Sequence, residues 1–475
     1  NRRRSCTYLS TSRLFNTHKH FIFIGLFFSD ATDHFIMVAS LPFKLVNNSN
    51  SSNVWAYVTG INIADGRRVL LQADGKTPYY PENPPAIGSP LAKDCAIPLG
   101  KPGNSVTATV PQIAGGRVWF SIDSKLNFLL NPGPALVEPS VLNPSDPNAK
   151  VNFGFCEFTL NDAQLYANIS YVDFVSNVPI AITLQNSAGA IQHVSGMQAD
   201  GLNKVCDDLK AQAQKDGKPW DKLIVQENGQ NFRVLNPSHG DAVGANFAGY
   251  YEPYVDQVWQ YYSSDNRAFT LDTQAGPGKL QGKVVNNQLV IGEEAFEKPN
   301  TADIFGCNSG PFTTGPNGTR NAIIPRLAAG FIRTTLVTQT QQPSDPSTYY
   351  LTDPTNHYCR IVHERNLDKK GYGFAYDDVQ PEGGADQSGK VNDGAPALFT
   401  IAVGGNRVYA GDTAPATTSE AVEEQSEPAP GAEAAAAPQE NGQQQPMQES
   451  RPPIPQRKSS GLRGKLSGWK KKFMQ

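Results

Sequence analysis

Between residues 41 and 185 apolar and polar positions alternate in short runs, at 43–46, 54–60, 69–72, 106–110, 116–122 and 180–184. A period of two sends successive side chains to opposite sides, so each run predicts a strand with one buried face. Gly, Pro and Asn break the runs, and this spacing predicts a sandwich or barrel. Residues 151–160 and 165–175 repeat the alternation on either side of Asn161-Asp162-Ala163-Gln164, which predicts a hairpin. Proline-rich stretches at 78–90 and 131–147 predict long surface loops of the kind that wall a binding groove.

From about residue 186 the period changes. Leu202, Val205, Cys206 and Leu209 recur at helical spacing, as do Phe247, Tyr250, Tyr251, Tyr254, Val258 and Tyr262. A third helix is predicted over 322–336 with Pro325 near its start, and strand-like runs lie at 222–226 and 283–291. Residues 399–403 read as a last strand. The expected architecture is therefore mainly β, formed by 41–185 and 355–410, with an inserted α/β domain at 186–354. A groove between the two parts is the natural place for a polymer.

The ends differ from this pattern. Arg2-Arg3-Arg4 ahead of the apolar 21–28 has the order of a signal peptide, which implies secretion or the cell wall; a start at Met37 implies an intracellular protein. Residues 411–460 are rich in Ala, Pro, Glu and Gln, and disorder is expected there. Beyond them, Leu462, Leu466, Trp469 and Phe473 fall on one face of a basic helical pattern. Weak membrane-surface contact or a solvated basic tail both fit.

Composition narrows the function classes. The net charge of −3 gives no whole-protein attraction for nucleic acid. Six cysteines are spread without a CxxC pair, and no GxSxG, Walker or GxGxxG motif occurs. His357, His363 and Glu364 match no zinc spacing, so no metal is expected. The aromatic set Tyr250, Tyr251, Tyr254, Trp259, Tyr261 and Tyr262 reads as core packing at helical spacing.

The candidate chemistry lies on the hairpin, in Glu157 and Asp173. One acid on a strand is ordinarily solvated surface; two on one face are a different matter. A loop of three or five residues, or a bulge, would align them, whereas a strict four-residue loop would not. Aligned, their Cα atoms would stand about 13 Å apart. Inward-leaning side chains would shorten that toward the ~6.5–9.5 Å carboxyl separation that admits a water in inverting glycoside hydrolysis.

Glu157-Phe158-Thr159-Leu160-Asn161, then Ile169-Ser170-Tyr171-Val172-Asp173-Phe174 and Asn177-Val178-Pro179, resemble the acidic-cleft hairpin of thaumatin-like proteins. The string is closer still to glycoside hydrolase family 64, endo-β-1,3-glucanases on a thaumatin-like barrel, and of fungal type. Phe43-Lys44-Leu45, Val54-Trp55-Ala56-Tyr57, Gly115-Gly116-Arg117-Val118-Trp119 and Tyr372–Val379 fit in the same order, so the resemblance covers about residues 41–405. It implies an inverting mechanism with Glu157 as general acid and Asp173 as general base. Thr159 and Asn161 would bond sugar hydroxyls, Tyr166 would stand where the family often has Trp, and Asp377 and Asp378 would wall the cleft unless they form a solvated loop pair. The implied partner is β-1,3-glucan, met by a monomer without cofactor. The competing reading is a non-catalytic thaumatin-like protein that binds glucan or perturbs walls.

Overall fold

The computed structural model describes residues 39–405; the leader and tail readings lie outside the described residues. In chain order the elements that frame the molecule are β1 (Ser40–Asn47), β2 (Val54–Asn62), β3 (Arg68–Leu71), β4 (Ser105–Pro111), β5 (Ile113–Ile122), β6 (Asn152–Leu160), β7 (Leu165–Ile169), β8 (Phe174–Ser176), β9 (Ile180–Asn186) and β10 (Ile191–Val194). They continue with α1 (Gly201–Asp216), β11 (Ile224–Glu227), β12 (Gln230–Leu235), α2 (Glu252–Tyr262), α3 (Gly318–Ile332), α4 (His357–Arg365), β13 (Lys390–Asp393) and β14 (Pro396–Val403).

Two sheets carry the β part. One runs in the order β10-β9-β14-β1-β4, the other β13-β7-β6-β5-β2-β3. Chain-distant strands close both, since β14 lies parallel to β1 and β13 pairs with β7. Apolar side chains from the inner faces meet between them: Phe43 of the first sheet stands edge-on to Phe158 of the second at 5.1 Å and to Phe399 of β14 at 4.9 Å. Gly116 makes room for this contact. A Cβ there would come within 2.5 Å of the Phe158 ring. Gly116→Ala is therefore expected to lower unfolding free energy by about 1–3 kcal/mol, as overpacking does, measurable by urea titration.

The second half of the predicted hairpin is not one strand. The loop 161–164 has four residues, with Leu160 opposite Leu165, which is the register that would have turned Asp173 away from Glu157. However, β7 stops at Ile169. Ser170 then bridges to Tyr372, and the chain re-enters as β8 in another sheet, of order β8-β12-β11. Tyr171 explains the break: its N–H donates to the Tyr372 carbonyl, and its carbonyl accepts from the Tyr358 hydroxyl at 2.6 Å.

Two further elements shift from expectation. Helix α3 begins at Gly318, capped by the Asn317 side chain accepting from Arg320 N–H, so Pro325 lies in its interior rather than near its start. The predicted run 283–291 is a hairpin, Lys279–Val285 and Gln288–Ile291, turned by Asn286 and Asn287 at φ 49° and 62°. Asparagine tolerates that left-handed conformation, which suits a two-residue turn. As expected, Tyr250, Tyr251, Tyr254, Trp259 and Tyr262 are buried, and Tyr261 packs against the same core. That core is continuous from Phe43 and Phe158 through Leu209 and Tyr358 to Phe331.

Candidate active site

The outer face of the β6 sheet, turned away from the core between the sheets, divides into an apolar and a polar half. Alternation along β2, β5 and β6 places Tyr57, Trp119, Phe153 and Phe155 there in a second apolar cluster, covered by Leu126 and Phe128. One step along each strand the row turns polar: Thr59 pairs with Arg117, Arg117 with Glu157, Glu157 with Asn168, and Asn168 with Lys390. Five strands thus align five polar residues through register alone.

Arg117 is the hub of this row. Its Nε and Nη2 donate to Glu157 Oε1 at 3.2 and 3.0 Å, while its Nη1 donates to Glu138 Oε2 at 2.8 Å. The guanidinium also lies over the Phe155 ring at 4.6 Å, which fixes its plane. Burial alone would lower its pKa, but Glu138, Glu157 and Asp173 together outweigh that and hold it above its ordinary value. Asp173, although it left the hairpin, thus returns within electrostatic reach of the cation that grips Glu157. Its own Oδ1 meets His239 Nε2 at 3.1 Å, and its backbone carbonyl accepts from Asn236 N–H. Asn236 also caps the short helix carrying His239 and donates to the Gly373 carbonyl, tying three segments together at the acid.

Glu157 is nearly enclosed, its side chain 11% exposed, against 29% for both Asp173 and Glu138. Both Arg117 bonds fall on Oε1; among the described residues none falls on Oε2. Tyr166 stands one pair further along, opposite Thr159, and its hydroxyl donates to Asp378 Oδ2 at 3.5 Å. Burial first, then Asp378, Asp386 and Glu157, push the phenol far up, so Tyr166 remains a neutral donor.

The remaining expected site residues separate. Thr159 shares the face of Glu157 by alternation and is buried. Asn161 lies in the hairpin loop, where its side-chain oxygen accepts from Ala163 and Gln164 N–H and shapes the turn. Asp377 lines no open cleft: its fully buried carboxylate takes Arg333 Nη2 at 3.0 Å, Gly373 N–H at 2.9 Å and His363 Nε2 at 3.0 Å. Asp378 next to it points the other way, to Tyr166 and Tyr372. His357 and Glu364 are each occupied by Arg360, and among the described residues no three His, Cys, Asp or Glu groups cluster for a metal. The five described cysteines are buried free thiols.

Sequence reasoning missed Arg117 as a partner, and Glu138 and His239 altogether. Arg117 was findable, since antiparallel pairing of the Gly-Gly-Arg-Val-Trp strand with β6 puts an arginine opposite Glu157. Glu138 sits in a proline-rich loop and His239 alone in a polar stretch, with no periodic signal at either.

A family model described as beta-1,3-glucanase matches residues 39–403. The chain belongs to this family. A glucan endo-1,3-beta-glucosidase of Cellulosimicrobium cellulans is 30% identical over 374 residues, covering 76% of this chain and 65% of the relative, so the chain spans just under two-thirds of that curated protein. A laminaripentaose-producing beta-1,3-glucanase solved with laminaritetraose is 30% identical, with TM-score 0.68 over 77% of this chain and 98% of that one. A family 64 beta-1,3-glucanase domain from Clostridium beijerinckii shares the fold at 20% identity, TM-score 0.60, over 77% of this chain and 98% of that one. These relatives are bacterial, and the fungal-type character expected from the sequence finds no support in them. Membership of the β-1,3-glucanase family agrees with a mainly β chain carrying helices, and it directs attention to the acids around Arg117.

Proposed function

We propose that this chain is an inverting endo-β-1,3-glucanase in which Glu157 is the general acid and Asp173 the general base. The observation that carries the assignment is Arg117, which grips Glu157 of β6 directly and feels the charge of Asp173 from the segment before β8, with Glu157 the more enclosed of the two acids. Inverting hydrolysis needs a proton delivered to the leaving oxygen and a water activated on the opposite sugar face. In Glu157 the Oε1 that Arg117 holds fixes the carboxyl, and the Oε2 that Arg117 does not occupy is the oxygen placed to pass a proton to the leaving group. Asp173, more exposed and held at Oδ1 by His239, is suited to orient the water.

In this reading the substrate is linear β-1,3-glucan. Thr159 on the face of Glu157, Tyr166 opposite it and Asp378 at the Tyr166 hydroxyl would supply donors and acceptors for sugar hydroxyls. The groove is taken to run along the polar row, between the sandwich and the inserted α/β part of a thaumatin-like architecture.

A reducing-sugar assay on linear β-1,3-glucan tests the activity, with product anomers followed by NMR. Turnover with an initial α-product is expected. An initial β-product removes the inverting mechanism, and binding without turnover leaves the non-catalytic, glucan-binding reading in its place.

A further inference from the structure

Past Arg117 the outer face of the sheet continues onto β3. Leu70 pairs with Thr59 and belongs to the outer apolar cluster, so alternation sets Arg68, two residues earlier, on the same face as Glu157. Arg68 is half-buried, and among the described residues its single hydrogen bond is a long one, Nη1 donating to the Gly60 carbonyl at 3.4 Å. The nearby acid Glu138 bonds to Arg117 instead. A guanidinium carries five N–H donors, so this fork has donors to spare.

Between Arg68 and Glu157 the surface dips. Arg117 pairs with Glu157 and Thr59, and Ile113 pairs with Leu160 and Asn62, so β5 takes four steps where each neighbour takes three. The extra residue makes a bulge. Its Gly115 lies at φ 55°, which glycine adopts without strain, and it is exposed, with no atom within 4 Å of where a Cβ would stand. Because β5 is an interior strand with the core on its other face, an exposed residue here opens on the outer face. Thr159 of β6 lies opposite the bulge on one side; on the other lies Ile61 of β2, which pairs with Arg68. By strand spacing Arg68 stands about 14 Å to the side of Glu157 and about 7 Å along the strands.

We propose that Arg68 and the bare backbone at Gly115 form a remote subsite for β-1,3-glucan. Gly115 is the floor that the chain crosses. The Arg68 guanidinium donates to hydroxyl oxygens of a sugar unit too far from the cleaved bond to share its ring. Spare donors suit an uncharged chain rich in oxygen acceptors, and a floor without a side chain lets a polymer lie flat against the sheet. Only a substrate long enough to span from Glu157 to β3 can use the contact.

This rests on the face of Glu157 being the cleft, and the test separates the two claims. Binding of linear β-1,3-gluco-oligosaccharides, from the disaccharide to the octasaccharide, is measured by calorimetry on the full chain carrying Glu157→Gln, which prevents turnover. Affinity is expected to rise with length, including a gain at the length that reaches Arg68. Adding Arg68→Met, which keeps the apolar stem, should remove that gain and weaken the longest oligosaccharide by about 10-fold, the worth of a hydrogen bond to a charged group. Adding Gly115→Asn instead should remove the same gain by raising the floor; asparagine tolerates the left-handed backbone and meets no neighbour there. An unaltered length dependence in both variants overturns the subsite, and so does a loss equal at every length, which marks a structural effect. If no oligosaccharide binds the Glu157→Gln protein at all, the cleft reading fails and the subsite falls with it.

Discussion

Glu157→Gln is expected to lower kcat on linear β-1,3-glucan by about 10²–10⁴-fold, the usual contribution of a positioned general acid. The substitution is nearly isosteric. An amide oxygen can still accept from Arg117 Nε and Nη2, so the packing over Phe155 should survive and thermal unfolding should change little. What disappears, in the proposed mechanism, is the proton donor. An aryl leaving group of low pKa needs no protonation, so the penalty should shrink sharply on an activated aryl β-1,3-glucoside. Asp173→Asn should behave differently, because loss of the base hinders attack by water whatever the leaving group. Equal penalties for both variants on both substrates would remove the division of labour, and full activity of Glu157→Gln would remove the acid.

The largest expected effect on stability lies away from the reacting groups, at Asp377. Its carboxylate has no solvent exposure, and Arg333 beside it is 2% exposed. Arg333 also donates to the Val379 and Asp377 carbonyls at 2.5 and 2.9 Å and lies over the Tyr349 ring at 4.1 Å. Asp377→Ala strands this cation without its counter-charge and leaves Gly373 N–H and His363 Nε2 unmatched. Breaking such a pair on one side costs about 3–5 kcal/mol, to be read from urea unfolding. A double variant, Arg333→Met with Asp377→Leu, should recover much of that loss, because the cost lies in the unpaired buried charge rather than in the missing attraction. Equal destabilisation of single and double variants would point to lost loop geometry instead. Activity should fall with Asp377→Ala too, since this pair holds the turn that presents Asp378 to Tyr166.

The same acid dipeptide illustrates how far a sequence could be followed. Asp377 and Asp378 read alike as cleft acids, yet one is a buried anchor and the other faces Tyr166. Nothing in the local pattern distinguishes them, because the distinction comes from Arg333, at the C-cap of α3, and from His363 of α4. The aromatic run around Tyr254 was read correctly as packing, since helical periodicity is a local property.

Local periodicity alone determined β1 to β7, β9 and β14, though not the edge strands β10 and β13, together with helix α1, the polar loop at 161–164 and the place of Glu157 on the outer face of its sheet. These follow from side-chain alternation within ten residues or so, where no distant partner is needed. The relation between the two acids was decided elsewhere. Strand register by itself would have set Asp173 on the wrong side; the hydrogen bonds of Tyr171, donating to the Tyr372 carbonyl and accepting from the Tyr358 hydroxyl some 200 residues downstream, pull the chain out of the sheet after Ile169 and bring the carboxylate within electrostatic reach of Arg117. Pairing between distant segments costs chain entropy that only the complete fold can offset, so it leaves no periodic trace in the amino-acid order.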